Sequence, residues 1–281
     1  MTEESTALYV VPTPLGNLAD LTERARAVLR EVPWVAAEDT RHSQPLLRHL
    51  GAAARLIPAH EHNEREAAGR IIEKLAAGEA VALVSDAGTP AVSDPGARIV
   101  AAVRAAGFRV VPLPGPCAAV AALSASGLAD PHFLFYGFLP AKAGQRRQAL
   151  ESLKALPYAL VFYEAPHRVV EAVEDLAAVL GERTLVIARE LTKLFEQIVR
   201  MPLADAPAWL AADPNRARGE FVLLVSAAPP AEGLSPEAER VLGLLLAELP
   251  VKQAAKLAAA ITGASKNALY ERALALRDTA L

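Results

Sequence analysis

Two short segments place acid, base and cation side by side: Glu164, His167 and Arg168, then Arg189, Glu190 and Lys193. Each follows an apolar, strand-like run, residues 158–163 in the first case and 184–188 in the second. Pro166 suits a helix N-terminus, which sets His167 and Arg168 in a first turn facing any cleft at the strand ends. Two strand ends that each carry both charges focus polar groups on one edge, where ion pairing or proton transfer can occur. A pair of surface salt bridges is the alternative. Glu38, Asp39 and Arg41 also follow a strand-like run and could neutralise one another at a cleft mouth.

Three loops lie where open α/β folds bind ligands, beyond the carboxyl ends of strands. In Leu83-Val84-Ser85-Asp86-Ala87-Gly88-Thr89-Pro90-Ala91-Val92-Ser93-Asp94-Pro95-Gly96 an apolar run ends abruptly in small, turn-forming residues before a helical pattern begins. Glycine there lets backbone approach a ligand closely. The alternative for Asp86 is an Asx-turn that stabilises its own loop. Pro12-Thr13-Pro14-Leu15-Gly16-Asn17 follows the first strand and lacks the G-x-G-x-x-G fingerprint; a stiff turn with few free amides argues against a dinucleotide or ATP. Leu113-Pro114-Gly115-Pro116-Cys117-Ala118 joins a strand to a small-residue helix, and no matched His accompanies Cys117 to make a reactive thiol. His60-Glu61-His62-Asn63-Glu64 has neither Cys support nor H-E-x-x-H spacing, so no metal site is expected.

The elements that must position these residues alternate. Strand-like runs at 7–12, 34–37, 80–84 and 109–113 are separated by helical patterns at 21–30, 64–77 and 97–106. Asp20 and Asn63 suit N-caps, and Gly78 and Gly107 suit helix ends. This spacing predicts βαβ units and a mainly parallel sheet in an α/β domain of residues 1–116. Residues 117–228 predict a second α/β domain, with strands at 133–138, 158–163, 184–188, 197–201 and 221–226 and helices at 118–123, 146–156 and 167–180. Strand follows strand more directly between 184 and 201, which suggests a mixed sheet. Pro229-Pro230-Ala231-Glu232-Gly233 is a linker by composition. The tail, 234–281, carries helical patterns at 236–248, 251–261 and 266–276, the last pair resembling a helix-turn-helix.

The chain has 281 residues, 53% hydrophobic and 22% charged, enough for packed cores. Its single cysteine excludes an internal disulfide and fits a reducing cytoplasm. The polar, acidic Thr2, Glu3, Glu4 and Ser5 show no signal pattern, and no apolar run reaches the ~18 residues of a membrane span. A net charge of −3 does not advertise a nucleic-acid binder. From 251 to 281, however, five basic residues (Lys252, Lys256, Lys266, Arg272, Arg277) face two acidic ones (Glu271, Asp278), a local +3. Lys142, Arg146 and Arg147 form a second basic group at a loop-to-helix junction, a good place to meet phosphates.

Taken in order, these loops resemble the ribosomal RNA small-subunit methyltransferase I family, a branch of the tetrapyrrole methylase-like S-adenosylmethionine (SAM) enzymes. The resemblance runs through Val11-Pro12-Thr13-Pro14-Leu15-Gly16-Asn17-Leu18, Ala37-Glu38-Asp39-Thr40-Arg41, His60-Glu61-His62-Asn63-Glu64, the loop around Asp86, Pro114-Gly115-Pro116, Gly137-Phe138-Leu139-Pro140, Pro166-His167-Arg168, Arg189-Glu190-Leu191-Thr192-Lys193 and Gly219-Glu220-Phe221-Val222. Cys117 stands where the family usually has Ser, and Ala165 where Ser is common; both changes are small for small. The resemblance implies two α/β domains of the class III methyltransferase type, SAM in the cleft between them, and a small C-terminal helical domain. It implies SAM contacts from Leu15, Asp86, Ala87, Gly88, Thr89, Cys117, Ala118, Ala165, Leu191 and Gly219, and no metal. The implied reaction is 2′-O-methylation of a cytidine in the decoding region of 16S rRNA, within the small ribosomal subunit. Glu164, His167 and Glu190 are then candidates to receive the hydroxyl proton. Arg41, His60, His62, Lys142, Arg146, Arg147, Arg168, Lys193, Lys252 and Lys266 are candidates to meet RNA. A cytoplasmic homodimer is expected. The competing readings are a tetrapyrrole C-methyltransferase and a non-catalytic RNA-binding assembly protein.

Overall fold

A computed structural model describes residues 6–229 and 233–278. The linker positions Pro230, Ala231 and Glu232 and the N-terminal Thr2 to Ser5 lie outside the described residues. The chain forms two compact units, Met1–Ala227 and Ala228–Leu281.

The first half of the larger unit is an all-parallel sheet of β1 (Leu8–Val10), β2 (Trp34–Ala37), β3 (Arg55–Pro58), β4 (Val81–Val84) and β5 (Val110–Pro112), in the order β3-β2-β4-β1-β5. Helices α1 (Glu23–Glu31), α2 (Thr40–Leu50), α3 (Glu64–Ala76) and α4 (Ala97–Ala105) connect the strands. Alternate residues of β4 feed opposite cores: Ala82 and Val84 pack with Leu29 and Leu47, while Val81 and Leu83 pack with Ile71 and Ile99. Burial on both faces explains the unbroken apolar run of this central strand.

In the second half, α5 (Ala118–Ala125), β6 (Phe133–Phe138), α6 (Ala143–Leu153), β7 (Ala159–Glu164), α7 (Val169–Leu180), β8 (Thr184–Arg189), β9 (Gln197–Pro202), α8 (Ala206–Ala211) and β10 (Phe221–Val225) build a mixed sheet, β6-β7-β10-β8-β9. Only β6 and β7 run parallel; β10 lies antiparallel between β7 and β8. Helices α6 and α7 cover one face, and α5 packs its Ala119 and Ala122 on the other, against Val161, Val186 and Val222. No helix among the described residues is long and apolar enough to cross a membrane.

Several local expectations change. Helix α2 was hidden from the sequence by Pro45 inside it, which removes a helical N–H donor. The short, exposed edge strand β3 and helix α8 were likewise unanticipated. Thr22 caps α1, not Asp20, and Asn63 makes no capping bond: its Nδ2 donates to the Pro58 carbonyl and its Oδ1 is left without a partner. Helix α7 begins at Val169, so His167 and Arg168 precede it.

The smaller unit packs α9 (Pro236–Glu248), α10 (Val251–Thr262) and α11 (Lys266–Asp278) around Leu242, Ala254, Ala255, Ala258, Leu269 and Ala273. Three of these core residues, Ala254, Ala255 and Ala258, are small side chains of α10.

Candidate active site

The parallel register sets Ala37 beside Val84, so Glu38 and Asp86 emerge from adjacent strand ends. The loop after β4 is clamped to the loop after β1. Thr13 N–H donates to the Gly88 carbonyl (2.8 Å), Gly88 N–H returns a bond to the Thr13 carbonyl (3.0 Å), and the Thr13 hydroxyl donates to the Ser85 carbonyl (3.1 Å). Gly88 has φ +83, and a Cβ there would lie 3.3 Å from the Leu15 side chain. Thr89 donates its hydroxyl to the Pro116 carbonyl (2.8 Å), tying in the loop after β5. Asp86 does not brace its own loop: its Oδ1 accepts from the Asp39 N–H (3.1 Å) and fixes the end of β2.

These loops face the second sheet across a cavity of about 430 Å³. Leu15, Asp86, Ala87, Gly88 and Thr89 line it from the first sheet, and Cys117, Ala118, Ala165 and Leu191 from the second half. Gly219 is not on the wall. It stands behind Glu190, where a Cβ would run into Glu190 Cγ, so its smallness serves packing of that side chain.

One corner of the cavity is acidic, with Glu38, Asp86 and Asp94 together on the lining. Burial first, and then the neighbouring Glu38 and Asp86, push the Asp94 carboxyl up to about 7, against a Ser85 hydrogen bond that lowers it. Glu38 is also raised, by burial first and then by the Asp86 carboxylate. Asp94 sits in a strained turn: Ala91 and Ser93 have φ of +66 and +62. The buried Glu64 carboxylate anchors the end of this turn by accepting from Gly96 N–H at 2.7 Å. Sequence reasoning passed over Asp94, although Ser93-Asp94-Pro95-Gly96 echoes Ser85-Asp86-Ala87-Gly88 eight positions earlier. It also passed over Tyr163, whose hydroxyl accepts from Ala119 N–H (3.1 Å) at the start of α5 and whose pKa burial raises.

Of the three candidate proton acceptors, Glu164 alone lines the cavity. Its side chain is buried, Oε1 accepts from Ala165 N–H (2.9 Å) and pairs with Arg168 Nε (3.2 Å), and Oε2 has no partner. Burial raises its pKa against those two groups. His167 is exposed and off the wall. Glu190 Oε1 accepts from Glu220 N–H and from Lys193 Nζ, both at 2.9 Å. Burial acts to raise its pKa, but those donors outweigh it and hold the carboxyl low.

The basic candidates divide. Arg146 is only 2% exposed, with Nε 2.6 Å from Asp175 Oδ2, so it is a core ion pair and cannot meet RNA as expected. Arg147 shares Asp175 at 2.6 Å, while Lys142 is exposed. Arg168 holds Glu164 and donates to the Leu139 carbonyl. Lys193 bridges Glu190 and Glu220 and lays its stem over Gly16. Arg41 chelates Asp39 at 2.8 Å on the surface. His60 and His62 meet edge-on at 6.2 Å, away from the cavity lining. Lys252 and Lys266 are exposed on the smaller unit. Among the described residues no three His, Cys, Asp or Glu side chains gather to hold a metal.

The chain is similar to known proteins over most of its length. Residues 7–207 match the family profile of the tetrapyrrole (corrin/porphyrin) methylases, and 232–277 that of the RsmI C-terminal HTH domain. The chain is 56% identical to ribosomal RNA small subunit methyltransferase I of Pseudomonas aeruginosa over 95% of its own length and 96% of that protein's. Identity to the Escherichia coli O157:H7 protein of the same name is 54%, covering 95% and 94%. Among solved structures, uroporphyrin-III C-methyl transferase from Thermus thermophilus, complexed with S-adenyl homocysteine, superposes with a TM-score of 0.53 at 21% identity, covering 78% of this chain and 97% of that one.

Proposed function

Because the chain belongs to the tetrapyrrole (corrin/porphyrin) methylases, and within them to the ribosomal RNA small subunit methyltransferase I family, we propose that it methylates the 2′-hydroxyl of a cytidine ribose in the decoding region of 16S rRNA, using SAM. The observation that carries this reading is the cavity itself, walled by loops from both sheets and carrying an acidic corner.

Its residues fit SAM. Gly88 brings bare backbone to the wall, the lining mixes Leu15, Ala118 and Leu191 with carboxylates that can meet an ammonium group, and Glu164 Oε2 is buried without a partner. Leu15, residues 86–89, Cys117, Ala118, Ala165 and Leu191 would hold the group. When bound, SAM supplies an electrophilic methyl carried on a sulfonium.

The chain's own contribution is to orient the ribose and to receive the proton that leaves its hydroxyl. We assign that second role to Asp94. It lines the cavity, it is presented by a strained turn anchored by Glu64, and its carboxyl is poised near neutrality, where a base accepts and returns a proton most effectively. Glu164 shares the wall but is held by Arg168, and serves better to fix Ala165. The division into residues 1–116, 117–228 and 234–281 is proposed as two methylase domains and an RNA-facing helical tail. Leu194 and Phe195, 90% and 69% exposed on one loop, support a homodimer. It would act in the cytoplasm, where ribosomal subunits mature.

Incubation with labelled SAM and small ribosomal subunits tests the reading. Label is expected in 16S rRNA at a 2′-oxygen. Label entering a uroporphyrinogen instead, or SAM binding without any transfer, would overturn it.

A further inference from the structure

A second cavity, of about 390 Å³, opens on the other side of the Asp86 loop. It lies between the loop after β1 and helix α2, and Asp86 lines both cavities. His42, Pro45, Leu46 and His49 stand on its helical wall at i, i+3, i+4 and i+7, the spacing that puts residues on one face. Pro14 and Leu18 form the opposite wall. Arg41 adds a guanidinium, aimed by its Nε and Nη2 bonds to Asp39. In the floor, Ser43 is 5% exposed and its hydroxyl has no hydrogen-bond partner. A buried, unsatisfied hydroxyl on a cavity wall is costly unless a ligand group reaches it.

The chemistry of this groove suits a nucleotide. Flat imidazole and proline rings with Leu18 and Leu46 offer faces on which a base can stack, a mode tolerant of sequence. Ser43 offers one hydrogen bond, and Arg41, paired with Asp39 through Nε and Nη2 but highly exposed, keeps Nη1 for a phosphate. Stacking also answers the charge problem, since the chain carries a net −3 and Arg146, Arg168 and Lys193 are committed to carboxylates. We infer that this groove holds the base and phosphate of an RNA nucleotide flanking the methylated one, so that the target ribose reaches the neighbouring cavity across the Asp86 loop. The inference rests on the rRNA reading above and names its contact surface.

The test uses the full chain with small ribosomal subunits. His42→Glu/His49→Glu changes exposed positions only, and Ser43→Ala removes the orphan hydroxyl with little change in volume. The double variant should raise KM for subunits at least about tenfold, with SAM affinity by calorimetry unchanged. A photoreactive thio-base placed beside the target cytidine should cross-link to residues 41–49. An unchanged KM, a parallel loss of SAM affinity, or a cross-link outside this segment would refute the groove. If wild-type protein fails to methylate the subunits, the rRNA reading fails first, so the two failures remain distinguishable.

Discussion

Ser93 and Gly137 meet across the cleft: a Cβ on Gly137 would lie 2.8 Å from the Ser93 hydroxyl oxygen. Gly137 occupies a bulge in β6 with φ +80, and Ser93 sits in the strained turn that presents Asp94. The second sheet thereby sets the position of the acidic corner carried by the first.

Gly137→Val should therefore displace the turn. The left-handed backbone alone costs a side chain about 1–2 kcal/mol, and the clash with Ser93 adds to that. Methyl transfer should fall at least about tenfold, since small misplacements of reacting groups cost that much or more. Circular dichroism should keep the native secondary structure. Full activity in this variant would show that Ser93 and Gly137 do not set the corner.

A pH profile tests Asp94. Its carboxyl must be ionised to accept a proton, so single-turnover methylation should rise with pH through about 7 and then level off. Asp94→Asn should lower the rate and remove that inflection while SAM still binds. Stability gives an independent check of sign. A carboxyl whose folded pKa lies above its unfolded value contributes stability at low pH and loses it as pH rises through the folded pKa. The gain in Tm from Asp94→Asn should accordingly be larger at pH 8 than at pH 5.

Bulk on the cavity wall should separate binding from folding. Gly88→Leu places a side chain at φ +83 against Leu15, and Ala118→Trp fills the opposite wall. Each should abolish SAM binding by calorimetry and leave a cooperative unfolding transition. Normal SAM binding by either would put the cofactor elsewhere.

Removing Arg146 is expected to be a stability lesion with no RNA signature. Burial works to raise the Asp175 carboxyl, but Arg147 and Arg146 outweigh it and hold it low. Arg146→Met leaves the buried Asp175 with Arg147 alone, and breaking such a pair costs about 3 kcal/mol. Urea unfolding should report the destabilisation, while the salt dependence of subunit binding stays unchanged. A flattened salt slope would return Arg146 to the RNA surface.

What could be read from the chain, and what could not, follows the range of the forces involved. The loop around Gly88 announced itself because close backbone approach demands small residues at a strand end, a local signal. The parallel first sheet followed from helical patterns between apolar runs. Pro45 masked α2 because a proline inside a helix reads as a breaker, and with α2 went the groove that His42, Leu46 and His49 line. Arg146 looked like a surface cation because its partner, Asp175, is 29 positions away on another helix. Asp94 is perturbed by Glu38 and Asp86, which only the register of β2 with β4 brings together. Charge pairing is tertiary, and the pattern of a single chain does not record which charged residues meet.

The tail offers the last test. The unit Ala228–Leu281 has its own core, and every residue of the SAM cavity lies before it. Deleting residues 234–281 should leave SAM affinity unchanged. Lys252, Lys256, Lys266 and Arg277 are exposed, whereas Arg272 Nε is 2.7 Å from Glu239 Oε1 and is less available to phosphate. If those exposed cations dock RNA, deletion should weaken subunit binding and flatten its log–log salt dependence by roughly 0.7–0.9 for each phosphate no longer neutralised. Charge reversal at Lys252 and Lys266 should reproduce part of that change without deleting the fold. An unchanged slope in both variants would assign the three helices to packing, and leave phosphate binding to the larger unit.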